Sequence, residues 1–303
     1  MNILLVAFAI GLLVPAVIIF MKENMNTKVR GRKDLENLSI PFIGEIPQYL
    51  SAKKKLGFDK HTQSVMKAIV VKEGNRNIIN EAFRVLRSNI DFMAGKDSGQ
   101  NVFMLTSFNP GSGKSFLAMN IAMSFAIKKK RILVIDGDLR HGSTSSYVDS
   151  PKTGLSDYLG NRVSDWKEII VKDEKYDNLH IIPIGTVPPN PTELLEDGKL
   201  ATLIEVLRSE YDYIFIDCPP IDIVADAQII EKLADRTVFV VRSGLLDRSM
   251  LPELENIYQE KRFKNLSVIL NGTESAGGRY GYRYGYRNGY SSYYGNKGKM
   301  GGG

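Results

Sequence analysis

The chain has 303 residues, 43% hydrophobic and 24% charged, which is too apolar for a disordered polypeptide and enough for one large domain or two small ones. One cysteine, Cys218, and three histidines exclude an internal disulfide framework and a Cys/His zinc cluster. The net charge of +6 resembles a nucleic-acid signal until it is located: five Lys/Arg and no acid fall in residues 275–303, so the body is nearly neutral and no nucleic-acid partner is expected.

Residues 1–21 carry no side-chain charge and have the length of a helix crossing a hydrocarbon layer. A cleaved signal peptide would want a basic start and a small-residue cleavage site, and a buried helix is the remaining alternative. Lys22, Lys28, Arg30, Arg32 and Lys33 then follow against a single acid, Glu23, within twelve residues. By the positive-inside rule the expectation is a protein of the inner membrane whose downstream part faces the cytoplasm. Residues 22–75 are polar with isolated apolar patches. A notable patch, residues 40–47, holds Pro41 and Pro47 and cannot form a regular helix, so the segment reads as a juxtamembrane connector.

From about residue 76 to 274, β-branched runs alternate with helix-length segments: VFMLTS (102–107), RILVID (131–136), LHIIPI (179–184), YIFID (213–217), TVFVV (237–241) and LSVILN (266–271). That alternation predicts a doubly wound, mostly parallel α/β sheet covered on both faces.

The chemistry concentrates where these runs end. TSFNPGSGKS, residues 106–115, follows a predicted strand and opens a helix. Pro110, Gly111, Ser112, Gly113, Lys114, Ser115 and Phe116 would turn backbone N–H groups and a helix N-terminus toward phosphates, with Lys114 on the β/γ oxygens and the Ser115 hydroxyl on magnesium. The P-loop pattern asks for glycine at Phe108, so the match is to its GK[ST] end; an ordinary Gly/Ser turn is the bland alternative. The second run ends in Asp136-Gly137-Asp138-Leu139-Arg140 and the fourth in Asp217-Cys218-Pro219-Pro220. Carboxylates at the carboxyl ends of parallel strands lie beside such a loop and can order magnesium or accept a proton. Any one of them alone could be a helix cap.

Together these residues resemble the P-loop ATPases with three Walker-type motifs, a deviant, MinD/ParA-like group, and within it the bacterial tyrosine kinases of capsule and exopolysaccharide synthesis. The first motif of that family is matched by residues 107–115, its hydrophobic run plus D-x-D-x-R by residues 132–140, and its D-x-P-P by residues 215–220. Further likenesses are PNPTELL (189–195), Asp226-Ala227 and residues 40–47, so the resemblance covers nearly the whole chain. Ser112 stands where many members have Glu. The large extracytoplasmic domain that often precedes this span is missing, which suggests a C-terminal portion or a minimal variant.

The resemblance implies ATP and Mg2+ as cofactors, with Lys114 and Ser115 on phosphates and metal, Asp138 and Asp217 on the metal's hydration shell, and Asp136 as base toward a tyrosine hydroxyl. It implies polysaccharide synthesis or export machinery, a protein tyrosine phosphatase and the membrane as partners. Glu81, Arg84 and Arg87 recur every three residues on one predicted helix, a solvated charged face in the bland reading. Their E-x-x-R-x-x-R pattern is similar to the family's self-association motif, which implies a ring-shaped homo-oligomer, an octamer by resemblance.

Residues 275–303 hold ten glycines and seven tyrosines and cannot build a core. Tyrosine interleaved with Arg and Gly could stack on single-stranded RNA or be low-complexity filler. The kinase reading makes Tyr280, Tyr282, Tyr284, Tyr286, Tyr290, Tyr293 and Tyr294 phosphoacceptors. The rival class is a MinD/ParA-like membrane ATPase switch without kinase activity, but the lysine such switches place early in the phosphate loop is absent from residues 108–112.

Overall fold

The computed structural model describes residues 11–15, 27–49, 68–95, 99–221 and 225–274. All six β-branched runs become strands of one sheet. With two more, the strands are β1 (Phe42–Pro47), β2 (Val102–Thr106), β3 (Ile132–Asp136), β4 (Val171–Lys172), β5 (Leu179–Ile182), β6 (Tyr213–Asp217), β7 (Arg236–Arg242) and β8 (Ser267–Thr273). The spatial order is β1-β8-β7-β2-β6-β3-β5-β4, and every pair is parallel except β4 with β5.

Successive side chains of a strand point to opposite faces, and here both faces are dry. In β2, Val102 and Met104 join one core while Phe103 and Leu105 join the other; β6 divides the same way, Ile214 and Ile216 against Tyr213 and Phe215. Each such fully buried side chain stabilises the fold by about 1.5–3 kcal/mol relative to exposure. That is why these strands are continuous apolar runs rather than alternating ones.

One face is covered by α1 (Ile78–Ala94) and α2 (Lys114–Ala126). The Asn77 side chain caps α1 by accepting from the Asn80 N–H at 2.9 Å, and Ala82, Phe83, Leu86, Ile90 and Ala94 form its buried stripe. Phe125 of α2 lies 4.3 Å from the Tyr213 ring and 5.9 Å from Phe215, ring centroid to centroid, an aromatic layer that fixes α2 on the sheet. The opposite face carries α3 (Leu155–Leu159), α4 (Pro191–Glu196), α5 (Lys199–Glu210), α6 (Asp226–Glu231) and α7 (Leu251–Gln259).

Residues 22–75, expected to be a connector, are in part integral to this body. Phe42–Pro47 is the edge strand β1, paired to β8. The two prolines fit there because an edge strand tolerates missing N–H donors. Val29 is fully buried, with its N–H on the Leu246 carbonyl at 2.8 Å. Farther on, Asn120 of α2 accepts from the N–H groups of Val70 and Val71 at 2.7 and 3.2 Å, fastening that stretch over the helix. The structured body therefore starts well before residue 76. Of the expected membrane span only residues 11–15 are described; they are helical and exposed, and no described helix is long and apolar enough to cross a membrane. The seven tail tyrosines lie outside the described residues.

Candidate functional site: a phosphate loop beside buried carboxylates

Strand β2 lies between β6 and β7, so the loop leaving its carboxyl end is flanked by the ends of both. Gly111 and Gly113 adopt φ of 75° and 91°, the left-handed region open to glycine. A Cβ at Gly113 would come within 2.2 Å of the Asn271 amide nitrogen, which donates to the Ser112 carbonyl at 2.8 Å. The loop is thus held from β8 by a residue whose sequence signal, an Asn closing an apolar strand, gave no hint of this role. Within the loop, the hydroxyls of Ser107 and Ser112 each donate to the Asn109 carbonyl at 2.8 Å.

Lys114 opens α2 and is 9% exposed, its Nζ 3.3 Å from Ser107 Oγ. Burial lowers its pKa, and the nearby Asp217 and Asp138 carboxylates oppose that drop. The Ser115 hydroxyl donates to Asp217 Oδ2 at 2.5 Å, and Thr144 Oγ1 donates to the same oxygen at 2.8 Å. Phe116, next on the helix, is packed against Phe83 of α1.

Asp136 and Asp217 are register partners at the ends of β3 and β6. Asp136 is fully buried, and its Oδ2 accepts from the Ser145 N–H at 2.6 Å and the Ser145 hydroxyl at 2.7 Å. Burial above all, and then the Asp217 charge, push its pKa up to about 8 against the Ser145 hydrogen bonds. Burial also raises the pKa of Asp217, opposed by Lys114, Ser115 and Thr144. Asp138 lies just beyond the strand, more open, with Oδ1 near the Arg140 N–H at 3.3 Å and His141 Nδ1 at 3.4 Å. Thr144 and Ser145, the turn that donates to one oxygen of each buried acid, belong to no motif and carry no signal in the sequence.

Arg140, the last residue of the D-x-D-x-R stretch, reaches the fully buried Asp226 at 3.1 Å and Thr192 at 2.9 Å, while Thr192 Oγ1 donates to Asp226 at 2.7 Å. This clasp ties the Asp138 loop to the start of α4 and to α6, and explains why the sequence carries PNPTELL and Asp226-Ala227 far from the phosphate loop.

The predicted charged face of α1 divides. Glu81 and Arg84 pair with each other, Arg84 also donates to the Asn75 carbonyl at 2.7 Å, and Arg87 turns to the Ser124 carbonyl of α2 at 2.8 Å.

The arrangement suits a phosphate chain with a divalent cation. Asp136 Oδ1 and Asp217 Oδ1 are buried without any hydrogen-bond partner, an expensive arrangement unless a cation or donor is received there. Among the described residues no three His, Cys, Asp or Glu side chains form a metal cage. Magnesium does not demand one, since it keeps waters and takes substrate phosphates as ligands.

This fold and loop define a P-loop nucleotide-binding protein. Residues 100–245 match the model of an AAA domain family. The chain is 34% identical over 210 residues to the tyrosine-protein kinase YwqD of Bacillus subtilis, covering 68% of this chain and 87% of the relative. A Klebsiella pneumoniae protein of the cps region is 32% identical over 289 residues, 92% of this chain but 39% of that longer relative. Among solved structures, the kinase domain of the Escherichia coli tyrosine kinase ETK superposes with a TM-score of 0.71 at 27% identity, covering 86% of this chain and 100% of that domain. The chain belongs to the bacterial tyrosine kinase family.

Proposed function

We propose that the chain transfers the γ-phosphate of MgATP to tyrosine hydroxyls, chiefly those of its own residues 280–294 in another copy, and so regulates capsular or extracellular polysaccharide synthesis or export. The observation that carries the reading is the convergence of Lys114, Ser115, Asp136, Asp138 and Asp217 at the carboxyl ends of β2, β3 and β6. Lys114 would neutralise the transferring phosphates, while Ser115, Asp138 and Asp217 would hold magnesium, partly through water. When bound, the metal supplies charge neutralisation between the β- and γ-phosphates. Asp136 is proposed as the base, its raised pKa suiting a group that takes a proton near neutral pH. In the structure its carboxyl is shielded by Ser145, so a tyrosine hydroxyl reaches it only if that turn shifts. The names of the relatives support a kinase. Intact-protein mass after incubation with MgATP tests it: repeated additions of about 80 Da that map to the tail tyrosines are expected, and ATP hydrolysis without mass change would favour a switch instead.

Self-association through α1 belongs to the same reading. Ile78, Val85 and Phe92 sit seven residues apart on this helix and are 46%, 37% and 89% exposed, an apolar stripe beside Glu81. Replacing Glu81, Arg84 and Arg87 together by Ala is expected to convert rings to monomers and depress phosphorylation between subunits. Light scattering checks the assembly, and an unchanged mass would return these residues to the intrachain bonds they make. The membrane span, the cytoplasmic placement, the export machinery and the phosphatase are part of the same proposal, resting on residues 1–33 and on the tail.

A further inference from the structure

The phosphate loop has two unlike flanks. Toward β6 and β3 stand the carboxylates, and toward β7 and β8 stands Arg242, the last residue of β7 and the register partner of Asn271. Its guanidinium occupies the space a side chain at Gly272 would fill: a Cβ there would lie 2.4 Å from Arg242 Cζ. Gly272, at φ 78°, therefore serves as the floor on which the planar group rests. The same guanidinium reaches the loop, with one terminal nitrogen 4.0 Å from where a Gly113 Cβ would stand.

Arg242 is half-buried, yet among the described residues its side chain has no hydrogen-bond or ion-pair partner, and burial lowers its pKa with no carboxylate to oppose the drop. Other arginines of this body behave otherwise. Arg140 and Arg208 hold carboxylates at 3.1 and 2.6 Å, and Arg248 holds Asp34 at 2.9 Å. The Arg242 nitrogens are not sealed from solvent, so the guanidinium is open to an incoming anion while its partial burial strengthens the attraction.

The polarity of the site says which anion. The carboxylate flank would hold magnesium and with it the β- and γ-phosphates, which would turn the γ end of a nucleotide toward Asp136 and Asp217 and its nucleoside end toward β7 and β8. The α-phosphate would then be the charge left without a cation on the carboxylate flank, and it would fall on the side of Arg242. Resting on the nucleotide reading of the loop, we infer that Arg242 binds the α-phosphate of the nucleotide, with Gly272 and Gly113 kept bare so that the planar fork lies flat between β8 and the loop. The division of labour follows: Lys114 serves the transferring end, and Arg242 holds the part of the molecule that is common to ATP and ADP. The residue is therefore a determinant of affinity for both nucleotides and takes no part in breaking the γ-phosphate bond.

Titration calorimetry of the full chain with MgATP and MgADP tests this. Arg242→Gln is expected to weaken both by the same factor, on the order of 10-fold or more, the weight of a charge-assisted hydrogen bond. Arg242→Lys, which keeps the charge, is expected to recover most of the loss and shows that the Gln variant fails for want of charge rather than of fold. The same factor is expected for MgADP, MgGDP and MgCDP, because a phosphate contact ignores the base. A loss confined to purine nucleotides would mean that Arg242 stacks on the base and would overturn the assignment. So would a loss for MgATP with MgADP unaffected, or full affinity in Arg242→Gln. Wild-type protein that binds neither nucleotide would instead bring down the nucleotide reading itself, and this assignment with it.

Discussion

Lys114→Met is expected to abolish tyrosine phosphorylation while leaving a folded protein. The side chain is 9% exposed, starts α2 and puts its ammonium between Ser107 and the carboxylates of Asp217 and Asp138. Methionine keeps most of the stem's volume, so the packing of α2 on the sheet is retained. What disappears is the cation proposed to face the transferring phosphates, and removing a comparable transition-state donor costs on the order of 10²–10³-fold in kcat. A second effect runs through Asp217. Without Lys114 that buried carboxylate loses its main opposing charge, so its pKa rises further and part of the apparent loss will be recovered at higher pH. Phosphotyrosine content over time at two pH values, with thermal unfolding as a control on folding, reads both effects. Undiminished phosphorylation would remove Lys114 from the site.

How far the sequence disclosed this site depends on which physical signal each part carries. The six long strands were legible because both faces of the sheet are dry and their residues are uniformly apolar. Strand β1 was not, since Phe42–Pro47 includes a proline and pairs only on one side, to β8, where a missing donor does no harm. β4, two residues long and antiparallel to β5, is too short to carry any pattern. The phosphate loop was legible through its glycines, which the left-handed conformations of Gly111 and Gly113 require.

Spacing was a poorer guide to where charges end up. Glu81, Arg84 and Arg87 do share a side of α1, but α2 lies close enough for its Ser124 carbonyl to capture Arg87, a tertiary accident invisible in a period of three. Nor does the D-x-D pattern distinguish its two acids. The structure does: Asp136, on the last rung of β3, is sealed under Ser145, whereas Asp138 has left the strand and is slightly more open. Arg242 and Asn271 lie more than a hundred residues from the loop they border, and only the strand order brings them to it.

That difference between the two acids makes Asp136→Asn the most informative substitution after Lys114. If the Asp136 carboxylate is the base, the variant loses transfer by about 10²–10⁴-fold. Nucleotide binding should survive within a few-fold, since Asn can still accept from Ser145 and keeps the turn in place. Asp217→Ala is expected to differ, weakening magnesium-dependent binding itself; equal losses of binding and transfer in both variants would contradict separate roles. Should Asp136→Asn retain transfer, Asp136 is not the base. A stability measurement on nucleotide-free protein adds an independent check. The folded-state pKa of Asp136 is about 8, above the ordinary carboxylate value of 3.8, so between those values the folded chain holds a proton that the unfolded chain has released. Stability then falls as pH rises through that window, because the unfolded state binds fewer protons. Asp217, also raised, adds a slope of the same sign. Asp136→Asn removes the first contribution and leaves the second. The variant is therefore expected to show a flatter dependence of Tm on pH and to melt above the wild type at pH 8, by roughly 2–4 °C for each kcal/mol relieved. A Tm profile parallel to that of the wild type between pH 5 and 8, both values chosen to lie inside the window, would show that Asp136 is charged in the folded protein throughout that range, and would leave it without the proton affinity a base at this site needs.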